Sequence, residues 1–87
     1  MEAGTYKVAA IYDQDTNRGI MNVTGINGTQ TFDGYAASNA NNVYSEVTGV
    51  TVATAGVYTV QCQMATKNAS SSAYNFNVNS IALIKTA

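Results

Sequence analysis

From Val57 to Met64 apolar and polar residues alternate, Lys67 to Ser72 forms a short polar segment, and Tyr74 to Lys85 alternates again. A repeat of two puts successive side chains on opposite faces, so the last third of the chain reads as strand, loop, strand. Nowhere does the sequence hold the i, i+3, i+4 apolar spacing of an amphipathic helix. The chain is therefore committed to sheet, and its loops rather than its core would carry any function.

The same reading extends to the N-terminal part. Thr5 to Tyr12 sets Tyr6, Val8, Ala10 and Tyr12 on one face and predicts the first strand. Asp13 to Gly19 is dense in turn formers and reads as an exposed loop. A second strand spans Ile20 to Gly25, and Asn27-Gly28 predicts a type I′ turn that folds Thr29 to Phe32 back onto it. Residues 33–42 lack sustained periodicity and read as a long loop crossing between sheets, with room for a helical turn. Val43 to Val52 returns to strand with a bulge expected at Gly49. Val57 to Met64 and Tyr74 to Lys85 are expected to pair with each other. A second bulge near Asn79-Ser80 would keep both Tyr74, Phe76, Val78 and Ile81, Leu83 inside. About six strands with regular turn signals predict an all-β fold, a small antiparallel β-sandwich or jelly roll, with residues 1–87 as a single domain.

Composition narrows the function. A chain of 87 residues buries roughly 60–70% of its unfolded surface, enough for a core without metal or disulfide. Charged residues make up 10% of it and the net charge is −1, so no basic face exists for nucleic acid. No apolar run approaches the ~20 residues that span a bilayer, and no membrane insertion or secretory signal segment is expected. Asn, Thr, Ser and Gln supply the polarity, which suits sugars or contacts between identical subunits. Cys62 is the sole cysteine, so no intrachain disulfide forms, and the alternation Tyr58, Val60, Cys62, Met64 predicts it as an inward-facing small hydrophobe. The triplets starting at Asn22, Asn27 and Asn68 match glycan acceptor sites, a chance pattern in a sequence this rich in Asn, Thr and Ser.

Catalysis is not expected. Histidine is absent, which removes His-based triads and His-bearing zinc sites, and no cofactor site is evident. The carboxylates Glu2, Asp13, Asp15, Asp33 and Glu46 offer no pair framing a cleft. Asp13, Asp15 and Asn17 have the alternate spacing of calcium ligands but lack the distant acidic residue that closes such a loop; the other reading is Asx side chains capping their own turn. Of six tyrosines, Tyr6, Tyr12, Tyr58 and Tyr74 fall on inward phases. Tyr35 and Tyr44 flank the long loop and are candidates for a sugar platform, beside Asp33, Asn39, Asn41 and Asn42. Packing of that loop on the sheet is the other use for them. Lys67, Asn68 and Ser70 in the last loop complete the candidate set.

The segments Gly4-Thr-Tyr-Lys-Val8, Asn17-Arg-Gly-Ile20, Asp33-Gly-Tyr-Ala-Ala37, Ala55-Gly-Val-Tyr58, Met64-Ala-Thr-Lys-Asn-Ala-Ser-Ser-Ser-Ala-Tyr74 and Ile81-Ala-Leu-Ile-Lys-Thr86 resemble a jelly-roll module of tailed-bacteriophage virion proteins, found at the C-terminal tips of tail fibres and tailspikes. The Ala-Gly-x-Tyr opening of a strand is also similar to galactose-binding-like carbohydrate modules. The resemblance implies a non-enzymatic virion module, assembled in the bacterial cytoplasm, homotrimeric, joined to the rest of a fibre and attaching to a host cell-surface polysaccharide. A fibre tip continues from a shaft whereas this chain starts at Met1, so an excised tip or a separate decorating protein is expected. The alternatives are a monomeric carbohydrate-binding module, and a capsid-decoration or trimer-clamp domain without ligand.

Overall fold

Strand β1 (Gly4–Gln14) runs through the middle of the molecule, and its even-numbered side chains Tyr6, Val8, Ala10 and Tyr12 are all buried, as a period of two demands. The computed structural model describes residues 1–87, the side chain of Ala65 excepted. Five further strands follow in chain order: β2 (Ile20–Thr24), β3 (Gln30–Asp33), β4 (Ala40–Val52), β5 (Gln61–Thr66) and β6 (Asn77–Lys85). They form two three-stranded antiparallel sheets, ordered β4-β1-β6 and β3-β2-β5. The fold is all-β, with no helix among the described residues.

The inner faces of the sheets meet through Val8, Ala10 and Tyr12 of β1, Val50 of β4, Met21 and Val23 of β2 and Phe32 of β3. Tyr12 is the hub. Its ring stands edge-on to Phe32 at 6.1 Å between centroids and lies 5.1 Å from Phe76, contacts worth about 0.5–1.5 kcal/mol each beyond area burial.

Much of the expected register is present. β4 slips between Val47 and Val50, which oppose Val8 and Tyr6, and Gly49 at the slip has φ +71°, so the bulge sits at the glycine. β6 slips against Ile11 and Tyr12, which oppose Ser80 and Val78. The extra residue is Asn79, and Val78 and Ile81 are thereby returned to one face. The β2–β3 hairpin also forms, with Val23 opposite Gln30. Its connection is longer than a two-residue type I′ turn, because pairing resumes only at Gln30 and Asn27 does not adopt positive φ. Ile26 packs against the core from inside this loop, which explains the extra length. The long loop crosses between the sheets over residues 34–39 without a helical turn.

Three expectations are corrected. The last two strands do not pair with each other: β5 pairs with β2 and β6 with β1, so they lie in different sheets. Residues 57–60 belong to no strand despite their alternation, because β2 ends at Thr24, opposite Gln61. Cys62 is exposed rather than buried. It shares the inner face with Val23, but the facing sheet leaves it uncovered. β3 comes within 8 Å of both β1 and β4 between Cα atoms, so the two sheets pinch together there. On the opposite side Val78 and Leu83, which pair with buried Tyr12 and Val8, remain 44% and 36% exposed.

The strand directions alternate, so the connections leaving odd-numbered strands share one end of the molecule. The chain termini share the other, where the Thr5 amide donates to the Ala87 carbonyl at 3.0 Å.

Candidate functional site

Three connections meet at the end away from the termini: residues 15–19, 34–39 and 67–76. They are laced by backbone hydrogen bonds. Asp15 N–H donates to the Gly34 carbonyl (3.1 Å), Gly34 N–H to Gly19 (3.0 Å), Gly19 N–H to Asn75 (2.7 Å) and Ser72 N–H to Thr16 (3.0 Å). Ser71 is the pin. It is 4% exposed, and its hydroxyl lies 2.6 Å from the Arg18 carbonyl, 2.9 Å from Ala73 and 3.2 Å from Thr16. One proton among three carbonyl oxygens holds two loops against each other.

Of the candidate residues, Asp33, Tyr35, Lys67, Asn68 and Ser70 are brought together here. Asp33 Oδ1 accepts the Tyr35 amide at 2.9 Å, and its Oδ2 accepts Asn68 Nδ2 at 3.1 Å. Asn68 Oδ1 in turn accepts the Ser70 amide at 3.0 Å. Lys67 Nζ donates to the Ser71 carbonyl at 2.8 Å and stands 5.9 Å from the centroid of the Tyr74 ring, within cation–π range. Asp33 and Asn68 therefore do structural work as well, which the polar loop taken by itself does not reveal. Each retains unused lone pairs, and the Lys67 ammonium retains two donors.

Asn39, Asn41 and Asn42 lie beside this group at the start of β4. Asn39 Nδ2 sits at the limit of hydrogen-bond reach, 3.4 Å from the Gln14 carbonyl and 3.5 Å from Asp15 Oδ2. Asn42 has φ +56° and is held by Asp13: its amide donates to Asp13 Oδ1 at 3.1 Å, and its own Oδ1 accepts Asn79 Nδ2 at 2.7 Å. Asn41 is exposed.

Tyr74 was expected inside and is 51% exposed. It precedes β6, and the bridge between Arg18 and Asn75 turns the chain before the strand phase begins. The signal for its exposure lay in the neighbouring polar run Lys67 to Ser72, not in the alternation that follows it. Of the other tyrosines expected inside, Tyr6 and Tyr12 are buried, and Tyr58 is half-buried with its hydroxyl on the Thr54 carbonyl.

Tyr44 stands apart from this end. It pairs with Ile11 on the outer face of the β4-β1-β6 sheet, where it rims an apolar hollow of about 60 Å³ with Ala9, Ile11, Ala82 and Ile84. The Tyr44 hydroxyl donates to Glu46 Oε2 at 2.6 Å, and Lys7 Nζ lies 3.3 Å from the same oxygen. The hydrogen bond to Glu46 raises the Tyr44 phenol above its ordinary value, and the same bond, helped by Lys7, lowers the Glu46 carboxyl. In an absorbance titration Tyr44 is expected to ionise above the usual range near 10, and Glu46→Gln to bring it back. The sign for stability follows: the Glu46 contribution is present above its unfolded value, near 4.3, and is lost as pH falls through the lowered folded value. The Tyr44 contribution is present below pH ~10 and is lost as pH rises through the raised value.

The spaced pair Asp13 and Asp15 is taken up separately. Asp13 Oδ1 accepts Asn42 N–H and Asn79 Nδ2, while Asp15 Oδ1 caps the Thr16 amide at 2.7 Å. Asn17 Oδ1 is buried without a partner. Among the described residues no cluster of three acidic, histidine or cysteine side chains could hold a metal, and the hydrogen bonds at Asp15 are those of a side chain capping its own turn.

Compared with protein-family models, with curated proteins and with solved structures, the chain gives no match.

Proposed function

We propose that the chain is a non-enzymatic attachment module, a jelly-roll-like tip of a phage tail fibre or tailspike, that engages a host-surface polysaccharide through its three-loop end. The observation that carries this reading is the locked cluster of Asp33, Lys67, Asn68 and Ser70 beside the exposed Tyr74 ring. Sugars offer hydroxyls to carboxylate and amide groups and an apolar C–H face to an aromatic ring, and all three partners are present. Loops fixed in advance by Ser71 lose little freedom on binding. The end lies opposite the termini, which leaves it clear of a shaft joined at either one. In this reading the module is carried in three copies on a virion.

The test is a panel of bacterial capsular and lipopolysaccharide glycans probed with the purified chain. Binding is expected, with Tyr74→Ala weakening it roughly tenfold, as loss of one aromatic contact of about 1.5 kcal/mol would, and Tyr44→Ala leaving it unchanged. Binding that depends on Tyr44 and ignores Tyr74 would refute the loop-end site. A second reading, a particle-clamping domain without ligand, is favoured by the apolar side chains left exposed along β5 and β6; it predicts a blank panel.

A further inference from the structure

Strand β6 has the sequence of an inner strand and the position of an outer one. Ile81-Ala82-Leu83-Ile84 is a continuous apolar run, the pattern of strands covered on both faces. Yet β6 ends its sheet. Leu83 and Val78 on the inner face are 36% and 44% exposed, and Ile84 on the outer face is 41% exposed, beside the hollow it rims with Ala9 and Ile11.

The edge of the facing sheet is in the same condition. Gln61 to Thr66 of β5 contains no charge, Cys62 is exposed on its inner face, and Val60 just before it is 36% exposed. Open edges in monomers are guarded by lysine, proline or a bulge that twists them away. Between Asn77 and Ile84 there is no charged residue and in the whole chain no proline. The bulge at Asn79 leaves Ser80 to Lys85 straight.

We propose that the β5–β6 side is an interface, and that its occupant is a second copy of this chain. The partner must bring a charge-free strand edge with apolar side chains beside it, and this chain has two such edges on one side. Lys85, at the end of β6, is the one charged residue within either edge strand; Asp13 at Asn79 and Lys67 just past β5 are the other charges close by, so two copies meet with little like-charge repulsion along Ser80 to Ile84. Exposed apolar side chains lie on both faces of β6, Val78 and Leu83 inward and Ile84 outward. A stable contact needs about 800 Å² per partner, so the backbone edges must take part. The interface does not depend on the loop-end ligand.

The experiment is light scattering coupled to size exclusion over a concentration series. The wild-type chain is expected to run as an assembly, and Leu83→Lys combined with Val78→Lys to run at the mass of one chain with an unchanged circular dichroism spectrum. Thr31→Lys, on the exposed edge of β3, is expected to leave the assembly intact. Labelling of Cys62 by a thiol reagent provides a readout that needs no substitution: its rate should fall at least tenfold between dilute and concentrated wild-type protein. A wild-type chain that stays monomeric with a concentration-independent labelling rate overturns the proposal, as does an assembly that Thr31→Lys breaks and the β6 variant does not.

Discussion

Phe32→Ala is expected to lower the melting temperature by at least about 12 °C and, at the low end of the stability a chain of this length has, to leave the domain close to half unfolded at room temperature. Phe32 is 1% exposed and is the largest of the fully buried side chains. It sits where the sheets pinch together, and it supports the Tyr12 ring edge-on. Truncating such a residue costs about 3–5 kcal/mol, the lost transfer energy plus the cavity left behind. A chain of this length has only about 4–13 kcal/mol to lose, and in a small domain each kcal/mol moves the transition by about 4–8 °C. Thermal unfolding followed by circular dichroism would show it. A shift below about 5 °C would mean that the sheets close over the gap, and that the pinched side is not the mechanical centre of the core.

Gly25→Ala is expected to cost about 2–5 kcal/mol, from backbone strain and overpacking together, although the residue is on the surface. Two independent causes act. Its φ of +108° is one that side chains rarely adopt, and a Cβ there would run into the Thr59 carbonyl group on the lead-in to β5. Gly28, three residues on in the same loop, separates the causes: its φ is +65° and a Cβ would meet nothing within 4 Å. Gly28→Ala should therefore lose only the conformational part, about 1–2 kcal/mol. Denaturant melts of the two variants side by side check the difference. Equal losses would mean that the Thr59 contact yields easily and that the β5 lead-in is not fixed by the hairpin loop.

What the sequence disclosed, and what it withheld, follows from the range of each signal. Alternation along β1 assigns Tyr6, Val8, Ala10 and Tyr12 to one face, because the face of a strand residue is a local property. The same holds for Gly49 and for the phase change at Asn79, where one extra residue shows up as broken periodicity. Neighbourhood is not local. β5 and β6 are adjacent in sequence and alternate alike, so a hairpin is the simplest inference, yet the loop over residues 67–76 carries the chain from one sheet to the other. The exposure of Cys62 has the same origin, since its inward phase is correct and only the missing cover could reveal it. At the candidate site the polar composition of Lys67 to Ser72 was readable, but the role of Ser71 was not. A serine whose single hydroxyl proton ties one loop to another looks like its neighbours until Thr16 and Arg18 are seen beside it.

The proximity of the two termini governs how the domain bears load. A force drawn between residues 1 and 87 peels β6 from β1 one residue pair at a time, because both strands are gripped at the same end. A force drawn between the loop end and Ala87 instead runs along the strands. The hydrogen bonds from Tyr6–Lys85 to Asp13–Asn77 lie across that direction and must shear together. The same ladder is thus a zipper in one geometry and a weld in the other, and tension between the loops and a terminus meets the stronger of the two.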